Sequence, residues 1–173
     1  MKIEIWDNRQ LQAYLDEKKY PTVTKLNRDV RFKGFDLFGP SFFYHRSDTE
    51  NRGGNHLTRY PEDRHVVALS DSELVGLFSF MYGKASYDFW HYYPRMLDVR
   101  EDNRNKKVAT FLVRRLKEPC FLHGQVLMIQ DSHYTSDGRN YLRKVIDREL
   151  SDVPFKVVDG WFTKLELYDS LAK

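Results

Sequence analysis

Apolar and polar residues alternate from Lys2 to Trp6, the two-residue period of a short strand, and Leu11, Tyr14 and Leu15 then recur at helical spacing before Pro21. A strand leads into a helix. From Thr22 to Phe35 the pattern is mixed and predicts a second short helix ended by Gly34. Asp36 to Arg64, rich in Gly, Asn, Pro and aromatic residues, fits no regular element. Irregular stretches of that length inside a compact domain are uncommon and tend to carry function. His65 to Leu69 and Glu73 to Met81 read as strands joined by the turn-forming Ser70-Asp71-Ser72, an antiparallel hairpin, and Phe89 to Val99 reads as the next strand. A helix begins near Lys106, and Gln125 to Gln130 has the look of a short buried strand. Ser136-Asp137-Gly138 opens another helix carrying Tyr141, Leu142, Val145, Ile146 and Glu149. Phe155 to Val158 and Trp161 to Leu167 flank an Asp159-Gly160 turn as a terminal hairpin. The order predicts an α/β fold: a mixed, mostly antiparallel sheet of about six or seven strands, with about four helices on both faces.

Composition narrows this picture. At 173 residues, 41% of them apolar, the chain has material for one substantial core, which places residues 1–173 in a single domain. The 28 basic residues barely outnumber the 25 acidic ones, so nucleic-acid binding stays open without being indicated. The one cysteine, Cys120, has no partner for an internal disulfide, and Met1 to Trp6 carries no long apolar run. The mean hydropathy is −0.65. A soluble protein of a reducing cytoplasm is the expectation, with no membrane role.

The richest chemistry lies between Val99 and Leu116, where a strand ends in a polar turn that opens an amphipathic helix. The first turn of a helix has unpaired backbone N–H groups and a positive dipole end, so it receives an anion without any catalytic side chain. Arg104, Lys106, Lys107, Arg114, Arg115 and Lys117 follow one another there with no acid between them. A solvated basic face is the competing reading. Val108, Phe111, Leu112 and Leu116 recur at core spacing, leaving Arg114, Arg115 and Lys117 to water, whereas Lys106 and Lys107 sit at the turn itself.

With that turn, the element order resembles the GNAT superfamily of acyl-CoA-dependent N-acetyltransferases. The family motif is a strand ending in Val, five residues on an Arg or Gln, then Gly, any residue, and Gly or Ala. Val99, Arg104 and Ala109 fall on three of those positions, and the order of elements agrees from Lys2 to Leu167. Lys107 stands where the family has glycine, a residue suited to unusual dihedrals and close backbone approach. The resemblance implies acetyl-CoA as acyl donor. Its pyrophosphate would rest on the backbone of Arg104, Asn105, Lys106, Lys107, Val108, Ala109 and Thr110. Its pantetheine arm would run beside Leu97, Asp98 and Val99, with the strand Gln125 to Gln130 splayed away. It also implies an acid for the departing thiolate at Tyr141; the alternative is a core tyrosine on the inner face of its helix. Where some members carry a basic glutamate, six residues before the Val, this chain has Tyr93. His91, two residues earlier on the same strand face, is the candidate base at neutral pH, beside a water relay to Asp98 or a purely structural histidine.

Other signals lead nowhere. His45, His56, His65, His91, His123 and His133 show no helical i,i+4 pair and no short spacing to Cys120, so no metal site is expected. Gly53-Gly54 is not followed by Lys-Ser or Lys-Thr, which leaves no P-loop. Two functions stand side by side. One is an N-acetyltransferase acting on an amine acceptor of unspecified class; the other is a non-catalytic binding or assembly protein on the same fold, for a protein or nucleic-acid partner, suggested by Lys107 and Tyr93.

Overall fold

The computed structural model describes residues 1–19, 32, 34–36, 63–83, 91–117, 126–129, 141, 144–146, 148–151 and 157–159; of 81–83, 91–95, 126–129 and 157–159 it describes the backbone. Among these residues six strands form one sheet in chain order: β1 (Lys2–Asp7), β2 (Asp63–Ser70), β3 (Glu73–Gly83), β4 (His91–Val99), β5 (Val126–Ile129) and β6 (Val157–Asp159). The first four are antiparallel neighbours, while β5 runs parallel to β4 and β6 parallel to β5. The expected hairpin is present. Asp71 and Ser72 both have positive φ, 50° and 65°, as a two-residue turn between right-twisted strands requires. Strand β2 starts at Asp63, two residues before the sequence pattern suggests, because its pairing with Met81 extends the ladder past the last apolar alternation. The helix expected after Thr22, the one opened at Ser136 up to Asn140, and the strand Trp161 to Leu167 lie outside the described residues.

Helix α1 (Asn8–Glu17) follows β1 without a break because Asp7 and Gln10 form a capping box: the Asp7 carboxylate accepts from the Gln10 amide and the Gln10 side chain accepts from the Asp7 amide, each at 2.9 Å. Leu11, Tyr14 and Leu15 face the sheet, as their spacing predicts, and pack with Phe32, Phe35, Val67, Leu74, Leu77 and Met96. Directional contacts set how it lies. The buried His65 ring bridges Asn8 Oδ1 and Ser79 Oγ, both at 2.7 Å, and the Leu74 amide donates to the Tyr14 hydroxyl at 2.7 Å.

The opposite face carries the second core. Helix α2 (Val108–Arg115) buries Val108, Ala109, Leu112 and Val113 against Val66, Ala68, Val75, Phe78, Phe80 and Val99, with Val145, Ile146 and Leu150 beside them. Burying side chains of this size is worth about 1.5–3 kcal/mol each relative to exposure. Gly76 decides how near α2 comes: a Cβ there would lie 2.7 Å from Val108 Cγ1 and 3.1 Å from Leu112 Cδ1. Among the described residues no helix is long and apolar enough to cross a membrane.

Candidate active site

Strand β4 ends at Val99, and residues 100–107 turn the chain back into α2. The turn is pinned from three sides. The Arg100 amide donates to the Val75 carbonyl at 2.9 Å, the Glu101 amide to the Gly34 carbonyl at 2.6 Å, and Arg104 Nε to the Val99 carbonyl at 3.0 Å. Arg104 also pairs with Asp36 at 2.7 Å, and Arg100 grips Asp102 through two bonds of 2.7 and 2.9 Å. That Arg100 contact, ahead of the Asn103 amide and the charge of Lys106, holds the Asp102 carboxyl below its ordinary range.

Two residues of the turn are left-handed: Asn105 at φ 63° and Lys107 at φ 62°, ψ 16°. Asparagine tolerates this region, but lysine does so at a cost of about 1–2 kcal/mol. Lys107 thus takes the left-handed dihedrals for which glycine is suited. Lys107 is the N-cap of α2 and gives it no side-chain cap. The Phe111 amide returns to the Lys107 carbonyl at 3.1 Å, while the amides of Lys107, Val108, Ala109 and Thr110 find no backbone acceptor among the described residues. Lys106 and Lys107 are exposed at the positive end of the helix, where added cations are unfavourable and an anion is stabilising by about 0.3–1 kcal/mol per interaction. Lys107→Gly is expected to raise stability by about 0.5–1 kcal/mol, since relief of the left-handed cost exceeds the extra unfolded-chain entropy of glycine. Thermal denaturation reads this as a rise in Tm; a fall would show that Lys107 is not left-handed in solution.

Among the described residues β5 pairs with β4 at His91↔Val126 and Tyr92↔Leu127, and Met96 to Val99 pair with β3 on the other side. On its β3 side β4 carries a bulge at Arg95, between the pairs Phe80↔Pro94 and Ser79↔Met96. In a parallel strand–helix–strand unit, ligands sit beyond the carboxyl end of the first strand, which here is the head of α2.

The expected site residues fall into groups. Leu97 and Val99 pack toward α2, and Asp98 is buried opposite Leu77. Arg104 to Thr110 form the turn and the helix head. His91 lies at the paired end of β4, eight residues and about 26 Å of strand from Val99. Tyr141 is 56% exposed, which removes the core-tyrosine alternative; the inner positions of its helical segment belong to Val145, Ile146 and Glu149. The basic run also divides. Arg104 pairs with Asp36 and Arg114 with Glu149, and Arg115 and Lys117 are half-buried and not left to water. Only Lys106 and Lys107 are both exposed and without an ion pair among the described residues.

Sequence reasoning missed the clamp around Glu149. This carboxylate, 7% exposed, accepts from Arg148 Nε at 2.7 Å and from Arg114 Nε and Nη2 at 2.9 and 2.8 Å. The Arg148 bond first, and Arg114 second, hold its carboxyl below the usual range. No spacing rule links Arg114 to a residue 35 positions on. Gly76 was findable, since a glycine inside a strand marks a close approach.

Neither a family model nor a curated protein sequence matches the chain. Solved structures do. An aminoglycoside acetyltransferase from an uncultured soil metagenomic sample, in complex with sisomicin, aligns with a TM-score of 0.52 at 13% identity, over 94% of this chain and 95% of that one. An aminoglycoside 6'-N-acetyltransferase from Acinetobacter haemolyticus gives 0.51 at 11% identity, over 84% and 89%. A ribosomal-protein-alanine N-acetyltransferase from Brucella melitensis biovar Abortus gives 0.50 at 14%, over 84% and 91%. At such identities the likeness establishes the fold: a GNAT-like α/β architecture.

Proposed function

We propose that this chain, on the fold it shares with those acetyltransferases, is an N-acetyltransferase that moves an acetyl group from acetyl-CoA to an amine by direct attack in a ternary complex. The observation that carries the reading is Lys107 at φ 62°, opening a helix at the carboxyl end of β4 whose first amides have no backbone acceptor among the described residues. A pyrophosphate fits that head. The amides from Arg104 to Thr110 would hold it, with the Lys106 and Lys107 ammonium groups adding charge. The backbone of Leu97 to Val99 would run beside the pantetheine arm. Acetyl-CoA supplies an activated thioester. The chain's own part is to orient it, to take a proton from the acceptor amine at His91 or through a water on Asp98, and to give one from the Tyr141 hydroxyl to the departing sulfur.

The non-catalytic reading loses ground on two observations. Lys107 keeps a glycine-like backbone, and two of the six bases that would face a nucleic-acid backbone, Arg104 and Arg114, are already engaged by carboxylates. Calorimetric titration with acetyl-CoA and with CoA at two salt concentrations tests the reading. Binding near micromolar Kd, about −8 kcal/mol, is expected, weakening as salt screens the exposed lysines. A folded sample that binds neither ligand overturns it. Acceptors to try first are an aminoglycoside and a peptide with an amino-terminal alanine, the classes named for the similar structures.

A further inference from the structure

The clamp on Glu149 does more than close a charge. Arg148 sends Nε to Glu149 and Nη2 to Thr110 Oγ1, at 2.7 and 3.0 Å. Thr110 is the third residue of α2, so one guanidinium joins the segment of helical residues 141, 144–146, 148 and 149 to the first turn of the proposed phosphate cradle. Tyr141, Lys144 and Arg148 are all exposed and follow one another at i, i+3 and i+7, one stripe along that segment. The stripe ends on Thr110 at Arg148 and begins at Tyr141, seven positions earlier in the chain.

Apolar packing alone would leave the relative position of the two helices loosely set. Val145, Ile146 and Leu150 meet Leu112, Val113 and Leu116 in one cluster, and such contacts are non-directional. Charge-assisted hydrogen bonds fix register, because a small slide breaks several at once. Here the set is Arg114 with Glu149, Glu149 with Arg148, and Arg148 with Thr110.

We infer that Arg148, held by Glu149, is a positioning residue: it ties the segment bearing Tyr141 to the head of α2, so that a ligand ordering the cradle also orders the tyrosine stripe. This rests on the proposed cofactor site, with Tyr141 next to the chemistry. Arg148 touches no reacting atom. Its role is to convert occupancy at Thr110 into a fixed place for residues seven positions away.

Amide hydrogen exchange with and without CoA, on the full chain and on Arg148→Ala, tests the coupling. In the unaltered chain CoA is expected to slow exchange both in α2 and in peptides covering 141–150. In R148A the slowing in α2 should persist, while that in 141–150 shrinks by about fivefold or more. Arg148→Lys, which keeps the charge but not the two-pronged bridge, should fall between. Equal protection of 141–150 in the unaltered chain and R148A, with α2 protected in both, overturns the inference and leaves the cofactor reading standing. No protection anywhere in the unaltered chain overturns both. A turnover readout separates positioning from packing: R148A should lower kcat about tenfold with the KM for acetyl-CoA little changed. A loss confined to KM would assign Arg148 to ligand binding and overturn the inference.

Discussion

Gly76→Val is expected to destabilise the protein by about 2–3 kcal/mol and to weaken CoA binding at the same time. The first added carbon already meets Val108 Cγ1 at 2.7 Å and Leu112 Cδ1 at 3.1 Å, with Ala68 Cβ at 3.6 Å, before the two valine methyls are placed. Val108 is 3% exposed and Leu112 wholly buried, so neither has room to yield and α2 must lift from the sheet. A valine in a strand recovers up to about 1 kcal/mol of propensity, which the overlap exceeds. For a chain of this size the balance is a drop in Tm of roughly 5–10 °C. Val108 is also the first residue of α2, so the lift displaces the amides proposed to hold the pyrophosphate. Thermal melts and CoA titration of the variant read both effects; an unchanged Tm would show that α2 does not pack this closely. Gly76→Ala should show the same direction at smaller size.

Tyr141→Phe is expected to lower kcat by about a hundredfold, the low end of what a positioned acid contributes, with the Kd for CoA unchanged. The separation is clean because Tyr141 is 56% exposed. Losing an exposed hydroxyl moves stability by no more than about 0.5 kcal/mol, so a fall in turnover cannot be a fall in folded protein. Steady-state kinetics on the first acceptor that turns over, with calorimetry on the same preparation, supply both numbers. Unchanged turnover removes the phenol from the mechanism and leaves the thiolate to depart unassisted or through water.

Much of the frame was legible in the residues. The alternation of Lys2 to Trp6, the stripe Leu11, Tyr14 and Leu15, the hairpin at Asp71-Ser72 and the helix behind Lys107 all appear where local rules place them. Such features depend on neighbours within a few positions, and periodicity reports them directly. Strands at Gln125 to Gln130 and Phe155 to Val158 were also expected, and β5 and β6 lie there, with Asp159 ending β6 where the pattern read a turn; their pairing was not foreseen, for β6 lies parallel to β5, an assignment that local pattern does not carry.

For the site, residue types pointed to the turn and tertiary structure settled its state. Sequence placed Val99, Arg104 and Ala109 in a strand–turn–helix and marked Lys107 as foreign to the glycine position, since identity and spacing are local. Whether a lysine would hold φ 62° depended on the bonds around it, the local one from Arg104 to Val99 and those from Arg104 to Asp36 and from Glu101 to Gly34, which join segments far apart in the chain. The same holds for the charges. A run of six bases reads alike in sequence, but only packing brought Glu149 to Arg114 and Asp36 to Arg104, leaving Lys106 and Lys107 as the exposed pair. Local order followed from short-range sterics and hydrophobic period, which the sequence by itself determines. The parallel seat of β5 beside β4, the close seat of α2 on Gly76 and the partner of each charge arise from contacts between distant segments, and those only the folded chain decided.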